Sequence, residues 1–159
     1  INIQSIELVI TVMDSESYET LMTSDPITLV TNATKEVQQF NDSGFTALEK
    51  NGLRVVIRGI EKDSLFGTDV SVFLENNTGK DISVQLRNVS INGYMIEPFF
   101  SCDVLDGKVA YSSISFMKED LEKNGIAEIN TLECSILVYE NTSWDDLFES
   151  DMITINFPV

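Results

Sequence analysis

The chain contains one segment twice. Residues 3–28 align with residues 129–154 without a gap, at a constant offset of 126 residues, and ten of the 26 aligned positions are identical. The identical pairs are Ile3/Ile129, Glu7/Glu133, Ile10/Ile136, Val12/Val138, Ser17/Ser143, Leu21/Leu147, Ser24/Ser150, Asp25/Asp151, Ile27/Ile153 and Thr28/Thr154. A repeat at this period predicts tandem modules. We therefore expect the C-terminal hairpin of a preceding, truncated module at residues 1–31, a linker at 32–43 and a complete module at 44–159.

Both copies carry the pattern of a half-buried strand. Residues 5–13 alternate apolar and polar side chains, and a period of two predicts a strand with one buried face. The apolar positions are Ile6, Leu8, Ile10 and Val12 in the first copy and Leu132, Cys134, Ile136 and Val138 in the second. Each copy then has a second strand, at 27–30 and 153–157. In between, Ser143 followed by acidic residues predicts an N-cap and a short helix, which Ser17 imitates in the first copy.

The rest of the chain has the pattern of an all-β domain. Strands are predicted at 45–48, 53–60, 69–75, 82–91, 94–96, 99–104 and 108–116. Asn92-Gly93 is the strongest hairpin signal, because both residues accept positive φ. Residues 117–124 predict one or two helical turns ended by Gly125. Many short strands with little helix predict an antiparallel, two-sheet, immunoglobulin-like sandwich with short loop helices.

Composition excludes several function classes. The net charge is −16, from 26 acidic and 10 basic residues. Nucleic acid and anionic membrane surfaces are therefore not expected as partners, because phosphate contacts need clustered Lys and Arg. Histidine is absent, which removes the usual general base and any Ser-His-Asp or Cys-His site. No apolar run approaches the length of about 18 residues that predicts a membrane span.

The two cysteines, Cys102 and Cys134, leave three alternatives open. Cys134 takes the place that Leu8 has in the first copy, on the alternating apolar face. A plain hydrophobic residue suits that position, which favours a buried free thiol. A Cys102–Cys134 bridge across the core and a reactive thiol remain as alternatives. The cellular compartment stays open on this evidence.

Two groups of residues are candidates for chemistry. The densest acidic clusters are Glu119, Asp120 and Glu122, and Asp145, Asp146, Glu149 and Asp151. Carboxylates can hydrolyse glycosides or bind calcium, but no calcium-binding loop occurs, and we interpret the clusters as a solvated acidic surface. Trp144 and Tyr18 occupy equivalent loop positions, where a ring either packs at the sandwich end or stacks on a sugar. We assign no catalytic, cofactor-binding or metal-ligating residue, and ligand-binding residues stay unknown.

One stretch of the sequence resembles a known type of module. The run VSVFLENNTGKDISVQLRNVSINGYMIEP, the Asp-Gly turn after it, and SISFMKEDLEKNGI resemble the repeated immunoglobulin-like modules of secreted proteins and lipoproteins of gut Firmicutes. The ending TSWDDLFESDMITI is also similar to theirs. The resemblance implies an immunoglobulin-like fold and an extracellular or cell-surface anchored bacterial protein. It implies no catalytic residues, because such modules are largely of unknown function.

We therefore expect a module without enzymatic activity and without a cofactor. The leading hypothesis is a structural spacer or protein-binding module, and the alternative is a carbohydrate-binding module that uses loop aromatic residues such as Trp144. An isolated two-strand hairpin is marginal in water. The apolar face of residues 1–31 is therefore expected to be covered, by the complete module or by another copy of the chain. A protein partner or self-association through this hairpin follows, and a glycan stays as the alternative partner.

Overall fold

The chain folds into two compact units. The computed structural model describes residues 3–32, 39–62 and 64–158. Its contacts divide the chain into Ile1–Asn41 and Asp42–Val159, which we call the N-terminal hairpin and the sandwich. The predicted linker at 32–43 includes residues 33–38, which lie outside the described residues.

The N-terminal hairpin has four short strands. They are β1 (Ser5–Leu8), β2 (Thr11–Met13), β3 (Thr20–Thr23) and β4 (Ile27–Val30). β1 pairs with β4 and β2 with β3, both antiparallel. The single strand predicted over residues 5–13 is thus interrupted between Leu8 and Thr11. Between the two strands, the Ser24 Oγ accepts a hydrogen bond from the Ile10 N–H at 3.0 Å, and the Ser24 N–H donates to the Ile10 carbonyl at 2.9 Å.

The sandwich consists of two antiparallel sheets. The first sheet contains β5 (Phe45–Lys50), β6 (Leu53–Glu61), β7 (Gly67–Asn76) and β11 (Lys108–Met117), in the order β11-β7-β6-β5. The second contains β8 (Ile82–Ile91), β9 (Tyr94–Met95), β10 (Ser101–Val104), β12 (Thr131–Glu140), β13 (Asp146–Glu149) and β14 (Ile153–Asn156). Its order is β10-β8-β12-β13, with β14 also pairing with β12 and β9 with β8. The predicted all-β sandwich is confirmed.

The core lies between the two sheets and follows the alternation of the sequence. Successive side chains of a strand point to opposite faces, so every second residue enters the core. The first sheet contributes Leu53, Val55, Ile57, Val70, Val72, Leu74, Ile114 and Phe116, and the second contributes Ile82, Val84, Leu132, Cys134, Ile136, Val138 and Ile155. Burying each large apolar side chain is worth roughly 1.5–3 kcal/mol. This core therefore holds the sheets face to face.

The predicted turns form where glycine and asparagine permit them. Asn92 and Gly93 take φ values of 52° and 84° between β8 and β9, as the hairpin signal requires. The short helix α1 (Lys118–Lys123) follows β11 and ends at Gly125, whose φ is 69°. One apolar residue of α1, Leu121, is buried against the core.

The two short helices predicted after Ser17 and Ser143 are wrong. The chain forms turns there, and the residues that follow become strands β3 and β13. The Ser143 Oγ accepts the Asp145 N–H at 3.3 Å and is 3.1 Å from a carboxylate oxygen of Glu140, to which it donates. Trp144 then takes a φ of 62°, a left-handed conformation that an α-helix cannot contain.

Candidate functional site

The repeated segments form two hairpins with the same register. In the first, Ser5 pairs with Val30, and in the second, Thr131 pairs with Asn156. Every pair of the β1/β4 ladder reappears in the β12/β14 ladder 126 residues later. The β2/β3 and β12/β13 ladders also agree, including a register shift at the same place. The sequence repeat is therefore a repeat of strand pairing as well.

The turns of the two hairpins also agree in detail. Tyr18 has a φ of 59° and Trp144 a φ of 62°, and positive φ is uncommon for a large side chain. The N–H groups of these residues donate to the carbonyl oxygens of Asp14 and Glu140, at 3.0 and 2.9 Å respectively. In the first turn, backbone N–H groups of Ser17 and Glu16 donate to the Asp14 carboxylate and hold its pKa below the usual value.

The environments of the two hairpins differ sharply. Ile10 is 51% exposed, whereas its equivalent Ile136 is 2% exposed. Val12 is 41% exposed and Val138 is fully buried. Six apolar side chains, whose equivalents on β12 and β14 lie in or against the core of the sandwich, form what we call the apolar hairpin face: Ile6, Leu8, Ile10, Val12, Ile27 and Leu29.

The edge of the N-terminal hairpin differs as well. In the sandwich, β12 lies between β8 on one side and β13 and β14 on the other. Over the described part of the N-terminal hairpin, the two sheets hold only two strands each, β1 with β4 and β2 with β3. The edge of β1 and β2 that corresponds to the β8 side of β12 therefore has no strand against it among the described residues.

The aromatic residue singled out in the second loop stacks on the sandwich. The Trp144 and Tyr139 rings lie 5.4 Å apart between centroids with 20° between their planes. Tyr139 is 6% exposed, and its hydroxyl accepts a hydrogen bond from Gln85 Nε2 at 3.0 Å. Trp144 remains 70% exposed, and the equivalent Tyr18 is 74% exposed. One face of the Trp144 ring is thus held by Tyr139 and the other is open.

Polar side chains lie beside this aromatic pair. Tyr139 pairs with Ser83, and Ser83 with Asp103, across β12, β8 and β10. Directly opposed residues of a sheet point to the same face, so the three side chains form a row. The Ser83 hydroxyl donates to Asp103 and is 3.1 Å from Asn141 Oδ1. Ser83 is buried, so its hydroxyl bridges Asp103 and Asn141 within the protein, whereas Asp103 itself is exposed.

The acidic clusters do not converge on a site. Glu119 and Asp120 lie in the first turn of α1, while Asp146 and Glu149 lie on β13. The Glu149 carboxylate accepts a hydrogen bond from the Ser135 hydroxyl within the sheet. Within residues 3–32, 39–62 and 64–158, no group of three or more acidic or cysteine side chains is placed to hold a metal ion.

A groove of about 470 Å³ lies at the end of the sandwich where β5 begins and β14 ends. Its walls are largely apolar, with Phe45, Ile60 and Phe157 among them. One carboxylate, Glu128, is among its described lining residues, and Lys62 donates to it at 2.7 Å. That hydrogen bond holds the Glu128 pKa below its usual value, which is the opposite of what a general acid needs.

The two cysteines are buried free thiols. Cys102 pairs with Val84, which pairs with Val138, and Cys134 lies four residues from Val138 along β12. At the usual strand spacing and rise, their Cα atoms are roughly 16 Å apart, far beyond the reach of a disulfide. Burial raises the pKa of both thiols, to about 11 for Cys134. The free-thiol alternative is the one the structure bears out.

Comparisons with known proteins place the chain in no family. No family model matches it, and no curated protein matches it. The helix of the described residues is too short and too polar to cross a membrane. The two hairpins and the surface around Trp144 are therefore the features from which a function is inferred.

Proposed function

We propose that the chain is a structural, non-enzymatic element of an extracellular bacterial protein built from immunoglobulin-like modules in series, in which the sandwich acts as a spacer. The observation that carries this proposal is the agreement of the two hairpins in strand register and turn geometry. A chain built from modules of a single type in series is expected to contain the terminal hairpin of that module more than once.

The strand order of the sandwich supports the immunoglobulin-like part of the proposal. In variable-type immunoglobulin domains one sheet contains strands G, F, C and C′, and the other contains A, B, E and D. The described residues form no strand beyond β11 in the place of D. Here β14, β12, β8 and β10 lie side by side in the second sheet, and β6, β7 and β11 lie side by side in the first. The chain order of these strands matches the lettering, and β5 adds one further strand at the outer edge of β6.

The surface and charge also suit a spacer. A net charge of −16 keeps neighbouring molecules apart and maintains solubility. The described groove lining holds one ion-paired carboxylate rather than a converging pair, so it supports no hydrolase mechanism. The extracellular location follows from the resemblance to modules of secreted proteins and lipoproteins.

Single-molecule pulling tests the spacer proposal. The protein is held by its two ends and stretched at constant speed. We expect the sandwich to unfold in one cooperative event that releases about 400 Å of chain, the extended length of its residues. Gradual lengthening at low force, without a discrete event, would refute a spacer that keeps its length under tension.

Carbohydrate binding is the second candidate, and the open ring of Trp144 on Tyr139 favours it. Because the chain has one tryptophan, its fluorescence reports directly on this ring. Titration with a panel of bacterial and host glycans should quench or shift the emission if a sugar stacks there. Trp144→Ala should then abolish binding in calorimetry, while the equivalent Tyr18→Ala should leave it unchanged. An unaltered spectrum across the panel would eliminate this candidate.

A further inference from the structure

We propose that the apolar hairpin face and the edge of β1 and β2 that corresponds to the β8 side of β12 dock the body of another immunoglobulin-like module, which lies ahead of the hairpin in the same polypeptide. By body we mean the strands that correspond to β6 through β11 of the sandwich. The inference rests on the proposed series of modules and deepens it by naming what the N-terminal hairpin binds. The hairpin supplies the last two strands, F and G, of that module.

The interface is already established once in this chain. β12 is covered on its edge by β8, with Leu132 opposite Ile91, Ile136 opposite Leu86 and Val138 opposite Val84. Its inner face packs against the first sheet. Because the N-terminal hairpin has the same registers, a body of this type presents the partner groups at the same spacing.

The apolar hairpin face has the composition that such a body accepts. Three of its six residues are identical to their buried or half-buried equivalents in the sandwich: Ile10, Val12 and Ile27. Two more, Ile6 and Leu29, exchange leucine for isoleucine at equal volume. Volume-conserving exchanges are the best tolerated in a core. Only the pair Leu8 and Cys134 differs in size.

The polar pattern of the edge also matches. In the sandwich, Ser90 of β8 donates to the Glu133 carboxylate of β12 at 2.7 Å. The hairpin keeps an acid at the same position, Glu7. The serine contact beside this edge is also shared, because the Ser24 Oγ accepts the Ile10 N–H as the Ser150 Oγ accepts the Ile136 N–H.

The test extends the whole chain at its N-terminus with a copy of residues 42–126, so that a body directly precedes the hairpin. Amide hydrogen exchange is then measured over residues 5–13 in the chain with and without the extension. We expect exchange along β1 and β2 to slow at least about 100-fold in the extended chain, because docking makes β1 and β2 interior strands of a larger sheet.

Matched variants separate docking from other effects. Leu29→Asp places a charge on the apolar hairpin face and should remove the added protection. Val30→Asp, the neighbouring residue on the other face of β4, which lies opposite Ser5, should retain it. A second extended chain carries Ile6→Leu, Leu8→Cys and Leu29→Ile, which makes the apolar face identical to that of β12 and β14. If exchange is unchanged in both extended chains, the proposal is wrong, because side-chain mismatch cannot explain the second failure.

Sedimentation velocity of the unextended chain tests whether a second copy of the chain occupies the apolar hairpin face instead. A dimer that Leu29→Asp dissociates and Val30→Asp leaves intact would mean that a second copy covers the hairpin, and would overturn the proposal. A monomer that gains protection only on extension supports it. Loss of the cooperative pulling event would refute the spacer while leaving this exchange result standing, so the two proposals fail separately.

Discussion

The equivalent isoleucines of the two hairpins offer a direct test of the burial contrast. Ile136 is 2% exposed on β12, opposite Leu86 of β8, whereas Ile10 is 51% exposed at the same place in the repeat. We predict that Ile136→Ala lowers the free energy of unfolding of the sandwich by about 2–5 kcal/mol, because it removes three buried carbons and leaves a cavity.

The same substitution in the first copy should cost far less. Three carbons are worth about 2.4 kcal/mol when fully buried, and Ile10 is about half exposed. Ile10→Ala should therefore lose about 1 kcal/mol from the N-terminal hairpin, with no enclosed cavity to add to it. The two variants remove the same three carbons, so the predicted difference comes from burial and from the cavity that only the buried site leaves.

Urea unfolding followed by Trp144 fluorescence is the assay, because the sole tryptophan lies in the sandwich. Ile136→Ala should move the midpoint to lower urea without changing the slope, and should lower Tm by about 10 °C. Ile10→Ala should leave this transition in place. A loss below about 1 kcal/mol for Ile136→Ala, a typical value for an arbitrary substitution, would refute the reasoning. Equal shifts for both variants would do the same.

Three further predictions concern the turn, the thiols and one surface ion pair. Asn76 is buried, and its side-chain amide donates to two carbonyl oxygens at 2.8 Å each. Asn76→Ala should therefore lower the free energy of unfolding in urea by about 2–3 kcal/mol. Asn77→Ala, at an exposed neighbour, should have little effect. Burial raises the pKa of Cys134 to about 11. Ellman's reagent should therefore label both thiols slowly in the folded chain and fully in urea. An intact mass that shows a disulfide would contradict this prediction. Hydrogen bonds from Lys80 and a serine hydroxyl lower the pKa of Glu140, so this carboxylate stabilises the fold above its unfolded pKa and loses that contribution as pH falls through its folded pKa. Lys80→Met should raise the Glu140 pKa in an NMR titration, and an unchanged titration would refute the ion pair.

The sequence predicted most of the strands because their signals are local. Alternation over residues 82–91 and 108–116 reappears as β8 and β11 within a residue. Asn92-Gly93 formed the expected hairpin, and Gly125 ended the short helix. Each of these depends on backbone preferences of neighbouring residues, which a sequence states directly.

The helix predicted after Ser143 was wrong for a physical reason. A serine followed by acids fits a helix start and an isolated turn equally well, because its hydroxyl accepts a nearby N–H in both. Pairing of the next residues with β12 decided the outcome, since β13 forms its ladder with residues 137–139. That partner is close in space only after the sheet has formed.

The candidate site was only partly accessible from the sequence. The equivalence of Trp144 and Tyr18 was visible in the alignment, but Trp144 on Tyr139 and the row through Ser83 and Asp103 were not. Those contacts join β8, β10 and β12, which are separated by long stretches of chain. The alternation of residues 132–139 does place Tyr139 on the outer face of its strand, and this was the one sequence signal that could have pointed to a ring beside Trp144.

The sequence by itself determined that this chain repeats a hairpin, that it is built from alternating strands, and where its glycine turns at Asn92-Gly93 and Gly125 fall. Only the tertiary structure decided which copy of the hairpin is buried, how far apart the cysteines lie, and what stacks on Trp144. The physical reason is that alternation marks a face as suited to burial, while burial itself requires a partner surface from elsewhere in the chain. Ile10 and Ile136 are the same residue in the same local structure, and the strands packed against β12 make one of them core.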